Sequence, residues 1–212
     1  SIIDTSAAGH QPMDSSSGNF RVIFNGEVYN HIEIRKEIES IANVNWKSTS
    51  DTETILEAFE VWGIENSLKK FVGMFAIAVW ANKEGSLYLI RDRLGEKPLY
   101  YGWQNDVFLF GSELKSLYAH PNFENKLSRK NIALFMRYSY VPDPYSIFEN
   151  IYKLPPASLI KLKLGSKDQM NKSLPDPIFY WSLRDAYKNG KKNIITDSSK
   201  FVEGLQGQLL ND

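Results

Sequence analysis

The sequence predicts an α+β fold, with helices packed outside sheets rather than alternating with parallel strands. Strand-like runs and amphipathic helical stretches are mixed along the chain, but not in a strict strand–helix–strand rhythm. One run, Met74 to Trp80, is almost continuously apolar, as expected of a strand buried on both faces. The bulk composition is that of an ordinary soluble chain, 42% hydrophobic and 24% charged. A length of 212 residues suits one domain, or one domain and a piece of another.

The elements follow in order. Phe20-Arg21-Val22-Ile23-Phe24 reads as a strand, stopped by the turn pair Asn25-Gly26. Ile32, Ile34, Ile38 and Ile41, interleaved with charges, lie on one helical face. Ser50-Asp51-Thr52-Glu53 has capping-box spacing, and Ile55, Leu56, Phe59 and Trp62 continue it as a helix that Gly63 can end. Met74–Trp80 and Ser86–Ile90 form a hairpin across Asn82-Lys83-Glu84-Gly85. Leu99–Tyr101 and Val107–Phe110 make a second strand pair. Ser112–Tyr118 and Ser128–Tyr138 are helices, the latter with Ser128 as N-cap. Ser158–Leu164 is a strand with one wet face, marked by Lys161 and Lys163. Pro175 and Pro177 mark a composition shift over 165–177. Asp185–Lys192 is polar surface. Phe201, Leu205, Leu209 and Leu210 return to helical spacing.

Several function classes lose support. Lys+Arg and Asp+Glu are 25 each, so no charge excess favours nucleic acid or an anionic membrane. No apolar run reaches the roughly 18 residues of a membrane span. There is no cysteine, which excludes disulfides, thiolate metal sites and a cysteine nucleophile within this sequence. His10, His31 and His120 lack zinc-ligand spacing and read as surface or structural residues, so no metal site is expected. The glycines form no phosphate loop.

Three segments could carry chemistry. Asn25-Gly26-Glu27 is either a plain turn or an oxyanion site, in which an Asn amide and a glycine N–H converge on one oxygen while Glu27 holds a cation. Asp51 either stabilises the first turn of its helix or pairs with a ligand ammonium. Arg91-Asp92-Arg93-Leu94-Gly95-Glu96-Lys97-Pro98 is a charged strand end and glycine turn, or a patch that pairs across a domain interface.

These same segments resemble the glutamine-hydrolysing asparagine synthase family. Ser1-Ile2-Ile3-Asp4 with Gly9-His10-Gln11-Pro12-Met13 comes first, then Phe24-Asn25-Gly26-Glu27-Val28-Tyr29-Asn30, then Ser50-Asp51-Thr52-Glu53. Gly73-Met74-Phe75-Ala76, Arg91 through Tyr101, Ser112-Glu113-Leu114-Lys115, Tyr140-Val141-Pro142 and Lys153-Leu154-Pro155-Pro156 follow in the family's order. The resemblance spans about residues 1–182. It implies an N-terminal-nucleophile hydrolase fold, an αββα sandwich of two mainly antiparallel sheets between helix layers. It also implies L-glutamine as substrate: a cysteine thiolate attacks the side-chain amide, ammonia leaves, and a thioester is hydrolysed to glutamate. Residue by residue, Asn25 and Gly26 would hold the oxyanion, Glu27 and Asp51 the substrate α-ammonium, and Ile2 and Ile3 would line the pocket through backbone groups.

Two family features are absent from this sequence, the nucleophilic cysteine and an arginine expected shortly before Ser1. Nor does the Ser-Gly-Gly pyrophosphate loop expected after residues 205–212 appear. The chain therefore reads as a fragment cut on both sides, with 1–182 the glutaminase part and 183–212 a linker and the start of a helix toward an ATP-dependent synthetase domain. The resemblance implies no cofactor in the fragment, ATP and Mg in the parent protein, and a cytoplasmic enzyme open to homodimer formation. It predicts a ligase that amidates aspartate. The rivals are a relative that amidates another carboxylate, such as a surface sugar acid, and a non-catalytic domain that has lost its nucleophile.

Overall fold

The computed structural model describes residue 4 and residues 6–192. The chain divides into two compact units, Ser1–Tyr180 and Trp181–Asp212. In the second unit the described residues form a helix, Leu183–Lys192, with no buried residue. The segment read as polar surface is therefore helical as well as exposed. The helix expected over 201–210 lies outside the described residues.

The first unit is built on two antiparallel sheets. The strands are β1 (Met13–Asp14), β2 (Phe20–Val28), β3 (Gly73–Ala81), β4 (Ser86–Arg91), β5 (Tyr100–Gln104), β6 (Val107–Gly111), β7 (Ile151–Lys153), β8 (Ser158–Lys163) and β9 (Ile178–Phe179). Among the described residues the larger sheet runs β1-β2-β3-β4-β8-β9 and the smaller β6-β5-β7. The helices are α1 (His31–Glu39), α2 (Asp51–Trp62), α3 (Ile64–Lys70), α4 (Leu114–Tyr118), α5 (Arg129–Tyr138) and α6 (Lys167–Asn171).

The period-2 alternation of the central strands assigns each face its layer. Val22, Phe24, Phe75, Ile77, Val79 and Ile90 point to one side and meet Ile34, Ile38, Ile55, Leu56, Phe59 and Leu68 of α1–α3. Ala76, Ala78, Leu89 and Ile160 point to the other and meet Leu99 and Tyr101 of the smaller sheet. Small alanines on that face let the aromatic side chains of the second sheet approach. Beyond the smaller sheet, Leu109 and Ile151 pack with Leu117 of α4. The order is thus helices, sheet, sheet, helix, the αββα sandwich the resemblance implies. The continuous apolar run of β3 is buried on both sides, as its sequence predicts.

One expectation is corrected here. Asn25-Gly26 does not end its strand: β2 continues to Val28, paired with β3 through Val28↔Gly73. Nine consecutive cross-strand pairs override the local turn preference. Glycine at 26 serves close approach instead of a turn. Its φ is 149°, and an added Cβ would collide with the Met74 carbonyl oxygen on β3.

Candidate functional site

The site residues gather at the C-terminal half of β2. Phe75, opposite Gly26, turns both backbone groups the other way: its N–H donates to Asp92 Oδ2 (3.2 Å) and its carbonyl accepts from Asp92 N (2.9 Å). In an antiparallel ladder the partner of such a residue likewise faces away, so the Gly26 N–H points out of the β2 edge. Its neighbours of the same parity confirm the direction. The Phe24 N–H donates to Gln11 Oε1 (2.7 Å) and the Val28 N–H to Asp51 Oδ2 (3.1 Å). The Gly26 N–H thus lies between the Gln11 and Asp51 side chains, past the two-residue pairing of β1.

Asn25, exposed on the inter-sheet face of β2, donates from Nδ2 to Ser112 Oγ at 3.0 Å. Glu27, half-buried, leaves the same face two residues on.

Asp51 is 2% exposed and opens α2. Burial pushes its carboxyl above the ordinary carboxylate range, with the Val28 N–H pulling it back and the nearby Glu27 charge adding to the rise. Its position is set by a wired helix start. Ser50 Oγ accepts from Thr52 N (3.0 Å). The reciprocal capping box expected from Ser50 and Glu53 is not formed. Glu53 turns back to accept from Lys47 N, Ser48 N and Ser48 Oγ at 2.8, 2.8 and 2.9 Å, because the chain before the helix offers three donors there. Arg35 of α1 spans the same segment, donating to Ser48 O, Ser50 O and Thr54 Oγ1, and stacks on Trp46. Gln11 ties α2 to β2 from the other side, its Nε2 3.3 Å from Thr52 Oγ1.

His31 also belongs to this neighbourhood. It opens α1, its Nδ1 is buried with no hydrogen-bond partner, and burial lowers its pKa against the pull of the Asp51 and Glu27 carboxylates. Beside Glu27 and Asp51 it is thus held toward its neutral form.

The Arg91–Pro98 segment is wired inward. Asp92, fully buried, accepts from four backbone N–H groups: Leu94 and Glu96 at Oδ1, Phe75 and Lys97 at Oδ2. Arg91 donates to the carbonyls of Lys97, Gly95 and Leu154 and to Asp143. Gly95 sits at φ 70°, where a Cβ would press on Pro156 and Arg91. For Arg91 and Asp92 the inter-domain alternative gives way to loop architecture.

Asn25, Gly26 and Glu27 thus lie on the stretch of β2 that Asp51 meets, while Ile2 and Ile3 lie outside the described residues. Gln11 and Ser112 were missed as contributors. Both fall within segments that resemble the family, but nothing local signals their contacts, which cross 13 and 87 positions.

Residues 1–173 match the glutamine amidotransferase domain family, and the chain belongs to that family. It is 35% identical over 209 residues to asparagine synthetase [glutamine-hydrolyzing] 1 of Bacillus subtilis, covering 99% of this chain and 30% of that protein. It is 31% identical over 219 residues to putative asparagine synthetase [glutamine-hydrolyzing] 2 of Methanocaldococcus jannaschii, covering 95% and 40%. The chain thus spans well under half the length of these relatives. Among solved structures, the glutamine phosphoribosylpyrophosphate amidotransferase of B. subtilis shares the fold, with a TM-score of 0.55 at 16% identity over 84% of this chain and 33% of that one.

Proposed function

We propose that this chain is most of the glutaminase domain of a glutamine-dependent asparagine synthase, with residues 1–182 forming that domain and 183–212 leading toward a synthetase domain. The observation that carries the reading is the Gly26 N–H turned out of the β2 edge next to the Asn25 amide. Two donors on adjacent residues suit the oxygen of a glutamine side-chain amide as it gains negative charge. Glu27 and Asp51 supply the anionic partners an α-ammonium needs. His31, held toward neutrality, leaves those charges for the substrate. The roles that the resemblance implies for Ile2 and Ile3 fall outside the described residues.

The nucleophilic cysteine, absent from these 212 residues, is assigned to sequence of the whole protein outside them. ATP and Mg belong, in the same reading, to the whole protein. ATP would activate aspartate as an adenylate, and ammonia from glutamine would convert it to asparagine, AMP and pyrophosphate. A cytoplasmic location and a capacity to form a homodimer go with this reading. Among the described residues no helix is long and apolar enough to cross a membrane. The test is the full-length protein supplied with glutamine, aspartate, ATP and Mg. Asparagine formed together with glutamate and pyrophosphate is the expected result. Glutamate release with amidation of a different carboxylate would replace the acceptor, and no glutamine turnover at all would overturn the reading.

A further inference from the structure

We infer that Ser112 is a positioning residue for glutamine hydrolysis, holding the plane of the Asn25 amide so that one N–H remains aimed at the oxyanion. The inference rests on the role proposed above for Asn25. The contact joins the two sheets: Asn25 leaves β2 on the inter-sheet face, and Ser112 directly follows Gly111, the last residue of β6. Ser112 Oγ accepts from Asn25 Nδ2 at 3.0 Å.

Asn25 needs such a support. Its side chain is exposed, so packing does not fix it, and the terminal torsion of an asparagine is broad and two-fold. The amide nitrogen carries two hydrogens. With one taken by Ser112, the other stays in the amide plane, free to donate. Freed from that contact, the amide can swing its carbonyl oxygen toward the developing negative charge, where it repels. Ser112 itself is anchored on both sides. Gly111 pairs with Tyr100 in the smaller sheet, and Glu113 opens α4, whose Leu117 is buried against that sheet. The hydroxyl is thus part of a rigid frame, and it contributes orientation without touching the substrate.

The experiment compares Ser112→Ala, Ser112→Thr and Asn25→Ala in the full-length protein, with glutamine and with ammonium chloride as nitrogen donors. Ser112→Ala is expected to lower kcat for glutamine by up to roughly 10²-fold, the scale of a misplaced catalytic group, with KM near the parent value. Ser112→Thr, which keeps the hydroxyl, restores kcat. Ser112→Ala added to Asn25→Ala costs nothing further, because the two act as one unit. Ammonium-driven synthesis stays at the parent level throughout. If Asn25→Ala loses glutamine turnover while Ser112→Ala does not, the inference fails and the site assignment stands. If Ser112→Ala loses both donors equally, the residue is merely structural and the inference fails. If Asn25→Ala has no effect, the site assignment and the inference fall together.

Discussion

At the residue scale, the site is a strand whose outward N–H groups have different fates. Phe24 and Val28 donate to Gln11 and Asp51, while Gly26, between them, is aimed outward. Asn25→Ala in the full-length protein removes a donor that acts on the transition state, so glutamine kcat should fall ~10²–10³-fold with little change in KM. Asp51→Asn removes a charge partner present in ground and transition states alike. KM for glutamine should rise roughly 10–150-fold, the equivalent of about 1.5–3 kcal/mol for a charge-assisted hydrogen bond. Paired kinetics with glutamine and ammonium check both, and equal losses with the two donors would refute the site. Asp51 also carries a stability signature. Its carboxyl is raised in the fold by burial, so the folded chain binds a proton more readily than the unfolded one. Between the ordinary carboxylate value and the raised one, stability contributed at this position falls as pH rises. Asp51→Asn keeps a carbonyl for the Val28 N–H and never ionises. Its melting temperature relative to the parent should therefore climb as pH is raised through that window and level off above it. A relative melting temperature that declines instead would mean the carboxylate is stabilised by the fold. A buried charge that weakens the fold yet serves an incoming ammonium is a common compromise of binding sites.

At the element scale, the loop after β4 is held by one carboxylate. Asp92 gathers four N–H groups, one of them from Phe75 opposite Gly26, so it braces both the loop and the strand that presents the site. Asp92→Asn replaces one accepting oxygen by an NH₂ that faces two donors. Of the four N–H groups only that of Phe75 is fully buried, the loop donors being part-buried, so unfolding free energy should drop by about 1–3 kcal/mol, the cost of one buried donor left unpaired. Urea titration of this chain checks it, and a drop below about 0.5 kcal/mol, the range of ordinary surface changes, would show the wiring to be unimportant. This loop also shows what sequence could reveal. The β3–β4 hairpin was legible because burial on both faces leaves a continuous apolar run and Gly85 closes a short connection. The N-cap at Ser128 was legible because its hydroxyl serves a donor three residues away. Asn25-Gly26 was misread as a turn because its glycine answers to Met74, about fifty residues on, through pairing that a local window does not contain. The short strand β7 and helix α3 were passed over. Ile151–Lys153 is too brief to show a period, and Ile64–Lys70 offers few apolar positions after Gly63. In the site, residue types were readable from the motifs, but partners such as Ser112 were not, since tertiary contact alone brings them in.

At the scale of the whole molecule, the proposed site has its donors and anionic partners but no cysteine within these 212 residues to attack. An oxyanion site lowers the barrier only once a nucleophile adds to the amide carbon and negative charge appears on its oxygen. A thiolate is the group this chemistry uses, and the 212 residues contain no cysteine. His31 is not presented as a nucleophile through Nδ1, which is enclosed. Ser112 Oγ is occupied by Asn25, and no described base activates it. Among the described residues no other nucleophile is placed at these donors, which leaves water adding to an amide, the least reactive of the common acyl groups. The purified chain should therefore release no glutamate from glutamine above a protein-free control, while the full-length protein does. Glutamate release, followed over hours by an enzyme-coupled assay before and after a second purification, decides the matter. Turnover that copurifies with this chain through both steps would mean that a group among these residues attacks the amide, and the division of labour proposed here would be wrong. Turnover that disappears on repurification belongs to a contaminant and leaves the donor pair, the anionic pair and the external nucleophile as three separable parts of one site.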